Sequence, residues 1–114
     1  MSKINIIYKI KNNDNIKSDK VRAIFLDGII TYNEDNSIVK YNYNKNNLHR
    51  ETNDLILNYD FNEEKATITV KELNKELNPI LQVLSIDKNN NDINIKFKLE
   101  EEIIEYEIKE LKWI

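Results

Sequence analysis

The sequence predicts an all-β protein: an antiparallel up-and-down meander that closes into a barrel of eight to ten strands. Three observations carry that expectation. Apolar and polar residues alternate with period two along most of the chain, which places one face of each segment in a core and the other in water. Alternation marks antiparallel pairing, because parallel strands covered on both faces read as continuous apolar runs. Short connections rich in Asn, Asp and Glu separate the segments where turns are wanted.

Taken in order, Ile4, Ile6, Tyr8 and Ile10 share one face of Lys3 to Lys11, with Lys and Asn on the other. After Asn12-Asn13, the runs Val21 to Leu26 and Ile29 to Tyr32 flank Asp27-Gly28, a two-residue hairpin signal. The only glycine stands where a positive φ costs it least. Asn33 to Asn36 and Asn44 to Asn47 supply turns around a strand Ile38 to Tyr43, and Leu48 to Glu51 follows. Leu55, Leu57, Tyr59 and Phe61 alternate with Asp54, Asn58 and Asp60. Ala66, Ile68 and Val70 then alternate with Thr67 and Thr69. Ile93, Ile95, Phe97 and Leu99 form one further face, and Ile104, Tyr106 and Ile108 the last. Asn62 to Lys65, Asp87 to Asp92 and Glu100 to Glu102 are read as hairpin loops.

Lys71 to Pro79 breaks the pattern. Leu73 and Leu77 stand four apart, as do Glu72 and Glu76, which predicts a short helix near 71–78 ended by Pro79. The alternative is a polar loop whose Leu pair packs on the barrel mouth. A meander of this size exposes two edges unless it closes, and closure favours a barrel over a sandwich because no other long connection is present. Such a barrel is either filled by side chains or holds one small ligand.

The 114 residues make one domain over 1–114. With no cysteine, disulfide frameworks, thiolate metal sites and cysteine nucleophiles are excluded. A single glycine leaves no phosphate loop, dinucleotide fingerprint or nucleophile elbow. A net charge of -3 argues against a nucleic-acid partner. The chain holds 19 Asn and 19 Ile, a third of its length, and both residues have AT-rich codons. A nucleotide-biased genome supplies them, while period two sorts Ile to one side and Asn to the other or to turns. No stretch approaches the roughly 18 apolar residues of a membrane span, and Met1 to Asn5 lacks an apolar leader core. A cytoplasmic protein without a membrane partner is expected.

No catalytic constellation stands out and no cofactor is implied. His49 is the only histidine, so a histidine-based triad would have to be built on it, and one histidine with no cysteine cannot supply a zinc site. Glu100 to Glu102 reads as a solvated hairpin tip rather than a cation site. Tyr32, Tyr41, Tyr43, Tyr59 and Tyr106 fall on separate segments, and Tyr41 and Tyr43 share a face. Tyrosines lining a barrel can bond a ligand through their hydroxyls while their rings pack. Arg50 is the residue to watch. Pointing inward it needs a carboxylate, a carbonyl or a ligand anion.

The run Leu26-Asp27-Gly28-Ile29-Ile30-Thr31-Tyr32-Asn33-Glu34 has a hairpin with a Tyr-x-Glu step. Ile38 to Tyr43, Leu48-His49-Arg50, Leu55 to Phe61, Ile93 to Leu99 and a last Tyr-containing strand follow it. In this order the chain resembles the YwiB-like family, small bacterial proteins of unknown function with a calycin-like, lipocalin-type barrel. The resemblance covers almost the whole chain and implies a fold but no reaction. It makes Gly28 the hairpin glycine, Tyr32 and Glu34 the Tyr-x-Glu step, and Arg50 the family's strand arginine. Glu51-Thr52-Asn53 stands where the family has a glycine after the arginine.

These readings give a non-enzymatic β-barrel binding a small apolar or anionic ligand, with Arg50, Tyr32, Tyr41, Tyr43 and Glu34 as its candidate contacts. An interior cavity of roughly 300 Å³ would mark such a protein, and a solid interior would exclude it. The alternative is a protein-interaction module acting through an outer face or edge strand, with an apolar patch near Trp113 and Ile114. An enzyme would have to rest on His49, Glu51 and Glu34.

Overall fold

The computed structural model describes residues 2–111. Among the described residues there is no helix, and therefore none long and apolar enough to cross a membrane. Eleven strands form one antiparallel sheet: β1 (Ser2–Asn12), β2 (Asn15–Leu26), β3 (Ile29–Glu34), β4 (Ser37–Asn42), β5 (Asn47–Glu51), β6 (Leu55–Asp60), β7 (Lys65–Val70), β8 (Lys75–Leu77), β9 (Leu81–Asn89), β10 (Asp92–Leu99) and β11 (Glu102–Leu111). Their spatial order is β8-β7-β6-β5-β4-β3-β2-β1-β11-β10-β9. The first and last strands pair, Tyr8 opposite Ile108 and Ile10 opposite Tyr106.

The turns follow the residues that allow them. Leu26 pairs with Ile29 around Asp27 and Gly28, at φ 52° and 78°. Both central residues at positive φ match the right-handed twist of the flanking strands. Asn13, Asp35, Asn46, Asn74 and Asn90 also take positive φ, which their short side chains tolerate. Glu64 and Glu100 do so as well, without that advantage. Their carboxylates instead hold the neighbouring chain: Glu64 Oε2 accepts the Val83 N–H at 3.0 Å and Glu100 Oε1 accepts the Ile80 N–H at 3.3 Å.

The sheet curls into a half-barrel, so strands far apart in the ladder meet across its concave face. Phe97 of β10 lies 5.5 Å from Tyr59 of β6 and 5.1 Å from Phe61 in the β6–β7 turn. Tyr43, between β4 and β5, donates its hydroxyl to the Asn91 carbonyl at 2.5 Å. Ile6, Ile30, Val39, Ile93, Ile95 and Ile108 fill the middle and are almost wholly buried.

Two expectations are corrected. The short helix near 71–78 does not form. Lys71 to Asn74 is a turn, closed by the Asn74 N–H on the Lys71 carbonyl at 3.2 Å, and Lys75 to Leu77 pair with Ile68 to Val70 as β8. Leu73 is 69% exposed, so a helix here would bury no apolar face, whereas the free side of β7 offers backbone partners. Nor does the ladder close with eight to ten strands. It has eleven and ends at β8 and β9, with one isolated bridge between Lys65 of β7 and Ile80, the residue before β9. β8 is three residues long, and Pro79 lacks the N–H that a continuing ladder would need.

Candidate functional site

Register decides which side chains face inward. Arg50 pairs with Val39 on one side and Leu57 on the other, and directly opposed residues share a face. Val39 is fully buried, so Arg50 points to the concave side. Glu34 ends β3 on that same face, two residues beyond the buried Tyr32. The fold brings together two residues 16 positions apart in the chain: Arg50 Nη2 lies 3.3 Å from Glu34 Oε1, and Lys17 Nζ lies 3.6 Å from the same oxygen. Lys17 is itself in contact with Asp35 at the surface.

The Glu34 side chain is wholly out of water, while that of Arg50 keeps 28% of its exposure. Burying a carboxylate is costly without compensation. Here two cations supply it, yet neither Glu34 oxygen receives a hydrogen bond of good geometry among the described residues. The Arg50 Nε–H and Asn12 Oδ1 are likewise buried without a partner.

Tyrosines surround this pair. Tyr8 stacks on Tyr32 at 5.4 Å, and the Tyr32 and Tyr106 hydroxyls bond one another. Burial pushes the Tyr32 hydroxyl well above the usual phenol range, helped by Tyr106 and by the Glu34 charge. Burial also raises Tyr106, Tyr8 and Tyr59, with the Arg50 charge working in the opposite direction on each.

Beside Arg50 lies a cavity of about 110 Å³. Ile10, Leu48, Leu57, Phe97 and Ile104 form its apolar wall. Its polar lining is Asn12, Arg50, Tyr59 and Tyr106. The cavity is about a third of the volume expected of a hollow ligand-binding barrel. From Arg50 the concave face continues as an apolar row, Leu57 opposite Ile68 and Ile68 opposite Leu77, to the free edge at β8.

The predicted contacts therefore divide. Arg50, Glu34 and Tyr32 are gathered into one cluster, but of the three Arg50 alone lines the cavity. Tyr41 and Tyr43 pack edge to face at 5.0 Å, as their shared face implied, but bond Asn46 and Asn91 and do not line the cavity. Tyr106, Tyr59 and Asn12 join the cluster without having been singled out as contacts. The signal for Tyr106 was its place on a core face, and for Asn12 there was none, since it reads as a turn residue.

His49 and Glu51 alternate with Arg50 and face outward. His49 Nδ1 lies 2.6 Å from Asn58 Oδ1 and Nε2 lies 3.6 Å from Glu51 Oε1, while Glu51 accepts from Lys71 Nζ at 2.8 Å. The Lys71 ammonium, bonded to it, holds the exposed Glu51 carboxyl below its usual range, with His49 a smaller contributor. The sheet thus separates His49 from Glu34, so the three residues an enzyme would rest on do not converge. Among the described residues no three acidic or histidine side chains cluster as a metal site. The expected patch at Trp113 and Ile114 lies outside the described residues. No protein-family model, curated protein or solved structure matches the chain.

Proposed function

We propose that this chain is a non-enzymatic binding protein that holds a small molecule, apolar in its body and anionic or polar where it meets Arg50, in the cavity of its concave face. The observation that carries the reading is Arg50 itself: a guanidinium turned inward, lining an apolar cavity, with its Nε–H unpartnered. Ligand pockets have this character, mostly apolar walls with a few convergent polar groups that fix orientation. The size of the cavity limits the buried part of the ligand to a few heavy atoms, given about 30 Å³ per water-sized group.

The same reading takes the fold as a calycin-like barrel opened along one seam, in keeping with the YwiB-like resemblance. The β1–β11 pairing and the Lys65–Ile80 bridge support it. It keeps the protein in the cytoplasm and without a nucleic-acid partner, which the net charge of -3 supports.

A native mass spectrum of protein purified gently from its own host tests the proposal. A retained small mass, lost from the Arg50→Met variant, is expected. The bare chain mass under conditions that keep the protein folded contradicts it. A second reading, interaction through an edge strand, is favoured by β9, which among the described residues pairs with β10 alone, and by the exposed Leu77, Ile80 and Leu84 near the seam. A dimer or complex without a small-molecule mass favours that reading.

A further inference from the structure

The cavity beside Arg50 presents two unmet hydrogen-bonding groups of opposite kind: the Arg50 Nε–H, a donor, and Asn12 Oδ1, an acceptor, both on residues that line it. The orientation of the Asn12 amide is fixed by its surroundings. Its Nδ2 donates to Glu102 Oε2 at 3.3 Å, and a flipped amide would set its oxygen against that carboxylate. The charge of Arg50 is already met by Glu34 at 3.3 Å, a carboxylate with no exposure. Among the described residues no cation besides Arg50 lines the cavity, and Lys17 is shared between Glu34 and Asp35.

An incoming carboxylate would bring a second negative charge beside a buried one, and it has no hydrogen to offer Asn12. A neutral carboxamide meets both needs: its carbonyl accepts from Arg50 and its N–H donates to Asn12. Resting on the proposed binding function and sharpening it, we infer that the ligand carries a neutral carboxamide head on a short apolar chain. About 110 Å³ holds such a head and a chain of a few carbons against Leu48, Leu57, Phe97 and Ile104.

The test is a set of two-dimensional ¹H–¹⁵N NMR titrations of the full chain at neutral pH with butyramide, butyrate and butanol. Butyramide is expected to shift the Asn12 side-chain amide and the Arg50 and Tyr106 backbone signals, and to bind about tenfold more tightly than butyrate, the scale of one buried unmet hydrogen bond. Asn12→Leu should narrow that preference by weakening butyramide and not butyrate, with Asn12→Ala as a second variant should the larger side chain disturb the fold. Butyrate or butanol binding as well as or better than butyramide overturns the carboxamide inference and leaves the binding function standing. Butyramide bound as tightly by both folded Asn12 variants as by the parent also overturns it. If none of the three probes moves a signal near the cavity in the folded protein, the inference and the binding function fall together.

Discussion

Arg50→Met is the most informative single change, because it removes a guanidinium while keeping an apolar stem of similar length in the core. Its cost follows from what is left behind. The Glu34 carboxylate has no solvent exposure, and breaking a buried ion pair by removing one partner costs about 3–5 kcal/mol. Two features lower that figure. Arg50 keeps 28% of its side-chain exposure, so water already weakens the pair, and Lys17 remains 3.6 Å from the same oxygen. A loss of about 2 kcal/mol is expected. With a urea slope of about 1–3 kcal/mol per molar, the unfolding midpoint followed by circular dichroism falls by about 1 M. Adding Glu34→Gln removes the stranded charge, so the double variant recovers most of the loss and the cycle yields a coupling above about 1 kcal/mol. A single variant within about 0.5 kcal/mol of the parent, or a double variant no more stable than the single one, refutes the reasoning.

Three further outcomes follow. All six tyrosines have hydroxyls raised above the ordinary phenol value of 10.0, chiefly by burial. Their folded pKa values exceed the unfolded ones, so their contribution to stability is complete below pH 10 and is lost as pH rises through and beyond it. Absorbance at the tyrosinate band should stay flat in the folded protein at a pH where the urea-unfolded chain ionises, then rise in one cooperative step; gradual ionisation of the folded protein would count against this. Gly28→Ala should cost about 1–2 kcal/mol, since a Cβ there would stand 2.5 Å from Asn44 Nδ2 at φ 78°. Thermal melts of Gly28→Ala with and without Asn44→Gly separate the two causes, the backbone share persisting in the double variant. Glu64→Asn keeps a residue suited to positive φ but shortens the side chain by one methylene and withdraws its acceptor from the Val83 N–H. Hydrogen exchange at Val83 should speed up by about tenfold with little change elsewhere, and an unchanged rate would show that the seam is not held there.

Most of the strands were legible because each needs one wet and one dry face, and period two reports that requirement locally. What was not legible shows where the local signal stops. The first half of β2, Asn15 to Lys20, is exposed on both faces and carries no alternation, yet it pairs along β1 from Lys11–Ile16 to Ile7–Lys20. In β9 the pattern is broken by a bulge opposite Lys96 and Phe97, so Val83 and Ile86 pack on the core three apart instead of two. The Leu73–Leu77 spacing suits a helix and misled, because nothing in the sequence says that β7 leaves a side free for β8. The site follows the same logic. Arg50 stood out as a charge in a strand and Glu34 as part of a Tyr-x-Glu step, but their meeting depends on the register of two strand pairs, β3–β4 and β4–β5. The place where the ladder fails to close, between β8 and β9, is a property of the whole sheet and has no signature in any one segment.

Binding on the concave face requires Arg50 to point inward to a cavity that the protein's own side chains leave unfilled. A high-resolution crystal structure of protein purified from its host, never unfolded or stripped, measures that directly. The prediction is non-protein density in the cavity between Arg50, Tyr59 and Tyr106, within hydrogen-bond distance of the Arg50 Nε. An Arg50 side chain turned out to solvent, with Leu57 and Phe97 closed over the vacated space, would contradict it.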